Sequence, residues 1–271
     1  NCTNTRLLRK MLIVLLLCSF IAGTFTACSD KKQSDVKTTF TVGFDAEFPP
    51  YGYKDASGEY VGFDLSLAEE VCRRNGWELV KQPIDWDSKD MELSSGSIDC
   101  IWNGFTINGK EDKYEWSDPY VNNQQVVVVA KDSGITKLAD LKDKYVAAQS
   151  ASAALQLLQK GGDQEKLGKT FKEIQEFPDY NTAFSELEAG TVDAVAMDVG
   201  VAKYQVNNRN NNYVILDENL NSEQYGIGFK KGNTELRDKV NADLKKLYDE
   251  GKVDELAKKY GIEDMICLGD K

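Results

Sequence analysis

The chain has 271 residues, of which 41% are apolar and 28% charged, with a formal charge of −11 at neutral pH. This composition is typical of a globular protein long enough for two modest domains, and the acidic balance argues against a nucleic-acid partner, since phosphate contacts require a basic surface. The sequence contains no histidine and its six cysteines include no CxxC pair. Ser-His-Asp and Cys-His catalysis are thereby excluded, and a metal or thioredoxin-type site has no support.

The N-terminal stretch has the pattern of an export signal. Two arginines and a lysine at 6–10 precede the apolar run MLIVLLLCSFIAG, which is short for a membrane span. The following FTACSD resembles the lipobox of bacterial lipoproteins, although Phe25 stands where leucine is usual. The resemblance implies a signal peptide over 1–27, lipidation of Cys28, and a polar tether over 28–37 that anchors the protein outside the cytoplasm. The alternative is an ordinary secretory signal in which Cys28 is incidental.

The remaining chain alternates between strand and helix patterns. Asp64 is predicted to cap the first helix, and VVVVA at 126–130 indicates a strand buried on both faces. Such alternation predicts mostly parallel sheets covered by helices. Strands are predicted at 40–44, 77–82, 100–102, 126–130, 145–148, 170–177, 193–197, 213–216 and 225–229, and helices at 65–75, 88–95, 152–160, 181–189, 199–206, 233–250 and 253–260.

Two stretches carry a specific resemblance. DCIWNGFTINGKEDKYEWSDPY at 99–120 combines a strand end, small and hydroxyl residues, a basic residue and an aromatic-Ser-x-Pro-Tyr run. GFDAEFPPYGYKDASGEYVGFDLSLAEEV at 43–71 supplies the second stretch. Both are similar to amino-acid receptors, the extracellular solute-binding proteins that serve ABC importers.

The resemblance implies a fold of the α/β class. Two mixed, mostly parallel sheets flanked by helices would form the two lobes of a type II periplasmic-binding-protein-like fold, joined by two crossover strands. Lobe one is expected at 38–121 and 224–266, and lobe two at 125–217. The hinge is expected at 121–124 and 217–223.

A bound amino acid presents a carboxylate and an ammonium, and a receptor must satisfy both charges. The candidates for the carboxylate are Lys110, or Thr106 together with the backbone amides that open the helix at 152. The resemblance adds Ser152 for the carboxylate and assigns the ammonium to Asp198 with the Gly104 carbonyl. Lys110 stands where the family has arginine, so it supplies charge without a planar fork. Each assignment has an alternative: Lys110 can be solvated in its charged turn, and Ser152 or Asp198 can serve as a helix cap.

The ligand side chain is expected to meet a mixed aromatic and polar surface. Trp102 is a further candidate whose aromatic ring is equally suited to the core. The resemblance matches Asp45 to the family's carboxylate that meets the distal group of cationic or amide ligands, which implies a polar, basic or cystine-like ligand. The candidate residues are Asp45, Phe48, Trp86 and Asn103.

The sequence therefore predicts a monomeric receptor that captures a free L-amino acid and delivers it to an ABC permease, with no catalytic residue, metal or cofactor. An enzyme on the same fold, such as a dehydratase acting on an amino-acid precursor, is the main alternative, with Glu47 as its candidate acid. An adhesive or sensory role stays open as a third class. Cys72 and Cys100 could pair or remain buried thiols.

Overall fold

The computed structural model describes residues 39–269, so the expected signal peptide, the tether and Cys28 lie outside the described residues. Within the described part, no helix is both long and apolar enough to span a membrane. The strands are β1 Thr39–Phe44, β2 Glu47–Phe48, β3 Gly52–Lys54, β4 Tyr60–Val61, β5 Glu78–Pro83, β6 Cys100–Thr106, β7 Glu115–Trp116, β8 Val121–Asn123, β9 Gln125–Ala130, β10 Tyr145–Gln149, β11 Glu173–Phe177, β12 Ala194–Asp198, β13 Tyr213–Ile215 and β14 Glu223–Phe229. The helices are α1 Phe63–Asn75, α2 Lys89–Ser95, α3 Ala153–Leu158, α4 Glu165–Gly168, α5 Tyr180–Ala189, α6 Val199–Asn207, α7 Thr234–Asp249 and α8 Lys252–Lys259.

The strands form two large mixed sheets and one small one. The first sheet has the order β5-β1-β6-β14-β7, with β8 also paired to β14. Strands β1, β5 and β6 are parallel, and β14 runs antiparallel to β6. The second sheet has the order β11-β10-β12-β9-β13, with β10, β11 and β12 parallel and β9 antiparallel to β12. Strands β2, β3 and β4 form a small antiparallel sheet.

The central strands are apolar on both faces because both faces are covered. In β9, Val126 and Val128 pack into the largest hydrophobic cluster, whereas Val127 and Val129 pack into a separate cluster on the opposite face. All seven residues of β6 are buried in the same way. This double coverage explains why the sequence of β9 shows a continuous apolar run, VVVVA, and no polar alternation.

The chain passes between the two sheets at two neighbouring places. Strand β8 belongs to the first sheet and β9 to the second, with Gln124 between them. The return passage lies between β13 and β14, and β14 pairs with β8 in antiparallel register, Glu223 opposite Asn123. These passages lie at the expected crossovers, while the boundaries of the lobes and of the hinge remain predictions.

Three local predictions require correction. Asp64 does not cap the first helix, because that helix begins at Phe63, two residues before the predicted start, and Gly62 occupies the cap position. The helix expected at 152–160 ends at Leu158, before Gly161 and Gly162, and a short unpredicted helix, α4, follows. The strand expected at 170–177 begins only at Glu173.

Gly62 determines how α1 begins. Its φ is +140°, a conformation that residues with a Cβ rarely adopt, and a Cβ placed there would lie 2.2 Å from the carbonyl oxygen of Tyr51. The close approach lets the amide of Asp64 donate to that oxygen at 3.1 Å. Gly62 therefore fixes both the start of α1 and the position of Asp64.

We expect Gly62→Ala to lower the free energy of unfolding by at least about 2 kcal/mol, because backbone strain and a steric clash act together. Gly58→Ala is the matched control. Gly58 has φ +87°, but a Cβ added there would have no atom within 4 Å, so this variant should lose only about 1 kcal/mol. Urea unfolding measures both, and equal losses would contradict a role for the contact with Tyr51.

Candidate ligand-binding site

The strand ends of both sheets converge on one cavity. Asn103 and Gly104 lie in β6, Gln149 ends β10, and Asp198 ends β12. The cavity measures about 20 Å³, room for roughly one water molecule. An amino acid can enter only if the walls move apart. The lining residues are Phe48, Trp86, Asn103, Gly104, Gln149, Ser152, Ala153 and Asp198.

Asp198 is a buried acidic residue in the cavity wall, and three hydrogen bonds hold its side chain in place. It stands at the start of α6 but its side chain does not cap that helix, so the capping alternative does not apply. Its Oδ2 accepts hydrogen bonds from Asn123 Nδ2 at 3.0 Å, from Gln125 Nε2 at 2.9 Å and from the hydroxyl of Tyr225. Burial, and then the neighbouring charge of Glu223, raise the pKa of Asp198 to about 7.

Glu223 is a second buried carboxylate in the same network. Its Oε1 accepts from Thr106 Oγ1 at 2.8 Å, from Asn123 Nδ2 at 2.8 Å and from Gln125 Nε2 at 2.7 Å. Glu223 begins β14, whereas Asn123 ends β8 and Gln125 begins β9. Both passages between the sheets therefore meet at one hydrogen-bonded cluster next to the cavity.

Asp64 supports the cavity wall from behind. Its Oδ2 accepts the amide of Gly104 at 2.6 Å and its Oδ1 accepts the hydroxyl of Tyr120 at 2.7 Å. Gly104 has φ +55°, and a Cβ there would lie 2.9 Å from Phe48 and 3.0 Å from Tyr225. Burial raises the pKa of Asp64 to about 7 against the effect of these hydrogen bonds. The positive φ and the two close approaches at Gly104 require glycine at this position, where the backbone meets the cavity.

Asp45 does not line the cavity, but it is hydrogen-bonded to Gln149, which does. Its Oδ2 accepts from Gln149 Nε2 at 2.8 Å, and its Oδ1 accepts from the amide of Glu47 at 2.9 Å. Burial raises the pKa of Asp45 to about 6, although both hydrogen bonds act in the opposite direction. The bond to Gln149 joins the end of β1 in the first sheet to the end of β10 in the second.

The aromatic candidates separate into two groups. Phe48 lines the cavity and its ring lies 5.8 Å from Tyr51 and 6.2 Å from Tyr180. Trp86 also lines the cavity, with Lys89 Nζ 4.8 Å from its ring centre. Trp102 is fully buried in the core and is not part of the wall.

Thr106 and Lys110 lie outside the cavity lining. The hydroxyl of Thr106 donates to Glu223, so it cannot donate to a ligand while that bond exists. Lys110 is half-buried and lines a neighbouring pocket of about 240 Å³, together with Glu223 and Ala153. Burial lowers the pKa of the Lys110 ammonium, while the charge of Glu223 acts in the opposite direction. Because Ala153 lines both spaces, Lys110 lies beside the cavity.

Ser152 caps α3 and lines the cavity at once. Its Oγ accepts the amide of Leu155 at 3.1 Å, as the capping alternative predicts, and its hydroxyl proton remains available as a donor. The two roles are compatible.

The structure thus gathers six of the nine predicted ligand contacts around one cavity and places Asp45, Thr106 and Lys110 directly behind or beside it. Sequence reasoning missed the network formed by Asn123, Gln125, Gln149, Glu223 and Asp64. One signal was present: four consecutive amide side chains occupy 122–125, at a predicted crossover flanked by apolar strands. Buried amides require hydrogen-bonding partners.

Two sheets joined by two passages, with a cavity between strand ends, define a two-lobe periplasmic binding protein of type II. The same arrangement occurs in a solved ABC uptake transporter substrate-binding protein from Streptococcus pneumoniae with bound histidine. That structure has a TM-score of 0.80 and 33% identity, covering 84% of this chain and 94% of the other.

The chain belongs to the bacterial extracellular solute-binding proteins of family 3, whose family model matches residues 40–263. The arginine-binding extracellular protein ArtP of Bacillus subtilis is 30% identical over 93% of this chain and 98% of its own length. The L-cystine-binding protein TcyJ of Escherichia coli is 27% identical, with 82% of each chain covered. The expected family and fold are therefore confirmed, and these relatives are binding proteins of extracellular type.

The raised carboxyl pKa values predict an unusual dependence of stability on pH. The pKa of Asp198 is about 7 in the folded protein, above its ordinary value of 3.8. Its protonation therefore stabilises the folded state at low pH, and this contribution is lost as pH rises towards 7. In the protein without added ligand, Asp198→Asn should remove on the order of 1–3 kcal/mol of the stability difference between about pH 5 and pH 8. Thermal or urea unfolding across this range measures the slope.

Asp55→Asn serves as the control for this slope. The hydroxyl of Ser57, and then the amide of Glu59, lower the pKa of the exposed Asp55, so its titration lies below the measured range. An unchanged slope in Asp198→Asn, matching that of Asp55→Asn, would show that Asp198 is already ionised at neutral pH.

Proposed function

We propose that this protein captures one L-amino acid with a polar or cationic side chain between its two lobes and delivers it, chemically unchanged, to an ABC permease. The observation that carries the proposal is a buried carboxylate, Asp198, that faces the cavity and is held by three neutral donors. A buried carboxylate gains most from a cation that completes its charge balance. A ligand ammonium supplies that cation.

The ligand carboxylate has two candidate partners on opposite sides of the cavity edge. Ser152 offers a hydroxyl from the second sheet's side, and Lys110 offers an ammonium from the turn after β6. Lys110 lies near Glu223 and Asp198, so an amino acid would place opposite charges between existing ones. This alternation of charge supports a zwitterionic ligand.

Several residues in or beside the cavity wall favour a polar or cationic ligand side chain. Asn103 Oδ1 is buried and has no hydrogen-bond partner among residues 39–269, so a ligand N–H would satisfy it. Asp45 and Gln149 add a carboxylate and an amide, while Phe48 and Trp86 offer aromatic faces for a cation. Relatives named for arginine, cystine and histidine have side chains of this general class.

Binding by this protein requires opening between the lobes. The cavity is far smaller than an amino acid, and contacts such as Asp45 with Gln149 and Glu47 with Asn181 close it. Rotation at 121–124 and 217–223, where the chain passes between the sheets, would separate these contacts. We propose that the ligand enters the opened cleft and that closure completes a site that neither lobe holds alone.

The proposed setting is outside the cytoplasm, at a membrane that carries the permease. Family membership supports the extracellular location, and lipidation at Cys28 would supply the anchor, with 28–37 as the tether. The folded part would then act as a monomer beside its permease.

A thermal-shift screen of the chain from Ser29 onward against the twenty amino acids, cystine and ornithine tests the ligand class. Binding to the native state alone raises the melting temperature by mass action. We expect a large shift with one or two polar or cationic amino acids and none with the aliphatic ones. In Asp198→Ala the shift should disappear, because the ammonium loses its counter-charge.

Recovery of the ligand after incubation separates binding from catalysis. An amino acid recovered unchanged agrees with a receptor, whereas conversion of an amino-acid precursor to product would favour the dehydratase alternative. Absence of any shift across the whole screen would contradict the proposed ligand class.

Lys110→Gln should weaken binding of the amino acid by at least about tenfold, because one charge-assisted contact to the ligand carboxylate is lost. Lys113→Gln is the matched control on the same turn, where the exposed Lys113 side chain lies 3.5 Å from Asp90. The affinity of the Lys113→Gln variant for the amino acid should change less than about twofold. Calorimetric titration gives both values, and equal effects would assign Lys110 to the solvated turn.

A further inference from the structure

Two buried carboxylates share the same pair of amide donors. Asn123 Nδ2 lies 3.0 Å from Asp198 Oδ2 and 2.8 Å from Glu223 Oε1. Gln125 Nε2 lies 2.9 Å and 2.7 Å from the same two oxygens. Each amide thus uses both N–H groups, one for each carboxylate, and the two oxygens lie within two hydrogen-bond lengths of one another.

Within the described residues, the other hydrogen bonds to this pair come from neutral groups. Tyr225 donates its hydroxyl to Asp198, while Thr106 and Asn221 donate to Glu223, Asn221 Nδ2 at 2.9 Å. Neutral donors stabilise one buried negative charge but do not cancel two. Asp198 is 4% and Glu223 is 5% exposed, so water contributes little screening.

The surrounding titratable groups do not resolve the imbalance. The charge of Lys110, on the turn after β6, acts on both carboxylates, but within residues 39–269 no hydrogen bond or ion pair joins it to either of them. Tyr180 on α5 and Tyr225 on β14 interact with both carboxylates, and Tyr51 before β3 interacts with Asp198. Burial raises the pKa of all three tyrosines, so they stay neutral and add no positive charge.

We propose that Asp198 and Glu223 hold one proton between them when the cleft contains no amino acid, and that the ammonium of an arriving ligand displaces this proton to solvent. The proposal rests on the function proposed above and adds Glu223 as a positioning residue that sets the pH dependence of affinity. The ligand ammonium contacts Asp198, and Glu223 acts through the shared amides. The proton belongs to the pair as a unit.

The sign of the effect follows from linkage. Burial and the charge of Glu223 raise the pKa of Asp198 to about 7 without a ligand, and a neighbouring ammonium lowers it. Binding therefore releases a proton below about pH 7, and affinity falls as pH falls through that value, by up to about tenfold for each pH unit. Above about pH 8 Asp198 is ionised without a ligand, and its contribution to the pH dependence of affinity ends.

Asp45 is a second source of pH dependence at this site, since its pKa is raised to about 6. It is bonded to Gln149 and Glu47, outside the shared-amide cluster. Comparing wild type with Glu223→Gln at the same pH holds the contribution of Asp45 constant.

The experiment is calorimetric titration with L-arginine and with L-glutamine, whose side chains do not titrate near neutral pH. Each titration is made at about pH 6.5 in two buffers of different ionisation enthalpy, which counts the released protons. Wild type should release more than about half a proton on binding. Glu223→Gln should release clearly fewer protons than wild type, because the charge of Glu223 no longer raises the pKa of Asp198 while its burial remains.

The matched control is Asp243→Asn, which removes a buried carboxyl on α7 that accepts from Asn75 Nδ2 at 2.7 Å, outside the cavity lining. Its proton release should equal that of wild type. Between about pH 8 and pH 6, affinity should fall about tenfold in wild type and by a clearly smaller factor in Glu223→Gln.

A carboxyl-carbon NMR titration without ligand tests the shared proton independently of binding. A resonance that disappears in Asp198→Asn should titrate near neutral pH in wild type and at lower pH in Glu223→Gln. Tight binding with equal proton release in wild type and Glu223→Gln would overturn the shared proton but not the proposed function. If neither probe binds, the NMR titration alone decides the shared proton, whereas the proposed function fails only if no amino acid in the thermal-shift screen binds.

Discussion

The burial of carboxyl groups where the two sheets meet is the constraint on which the site depends. A carboxylate removed from water must find donors, and here the donors come from other elements of the chain. Asp198 at the end of β12 is bonded to residues of β8, β9 and β14, and Asp64 on α1 is bonded to β6. Each acid therefore fixes the relative position of elements far apart in sequence. The geometry of the cavity follows from satisfying these groups.

Backbone conformation transmits this constraint to the cavity wall. Gly62 allows α1 to begin against Tyr51, which places Asp64 under β6. Asp64 then holds the amide of Gly104, whose positive φ turns the strand at the cavity. Two glycines and one buried acid thus determine where the ligand would meet the backbone. A side chain at either glycine would collide with its neighbours, so the local sequence leaves little freedom there.

The residues that were predictable from sequence are those whose role is local. Strand and helix positions followed from apolar periodicity, and Phe48, Asn103, Gly104 and Asp198 followed from motifs that resemble the family. The network around Glu223 could not be predicted in this way, because its partners are separated by about a hundred residues and meet only when β8 and β14 pair. Asp64 shows the same limit: its position suggested a cap, while a tertiary hydrogen bond decided its role.

The position of the shared-amide cluster connects ligand charge to the joint between the lobes. Asn123 and Gln125 lie on one passage between the sheets and Glu223 on the other. Hydrogen bonds to an ionised carboxylate are about twice as strong as those to a neutral group. If a ligand ammonium removes the proton from the pair, the bonds that hold the two passages together strengthen at the same moment. Recognition of the ammonium and stabilisation of the closed arrangement would then be one electrostatic event, and neutral ligands of similar shape would not produce it.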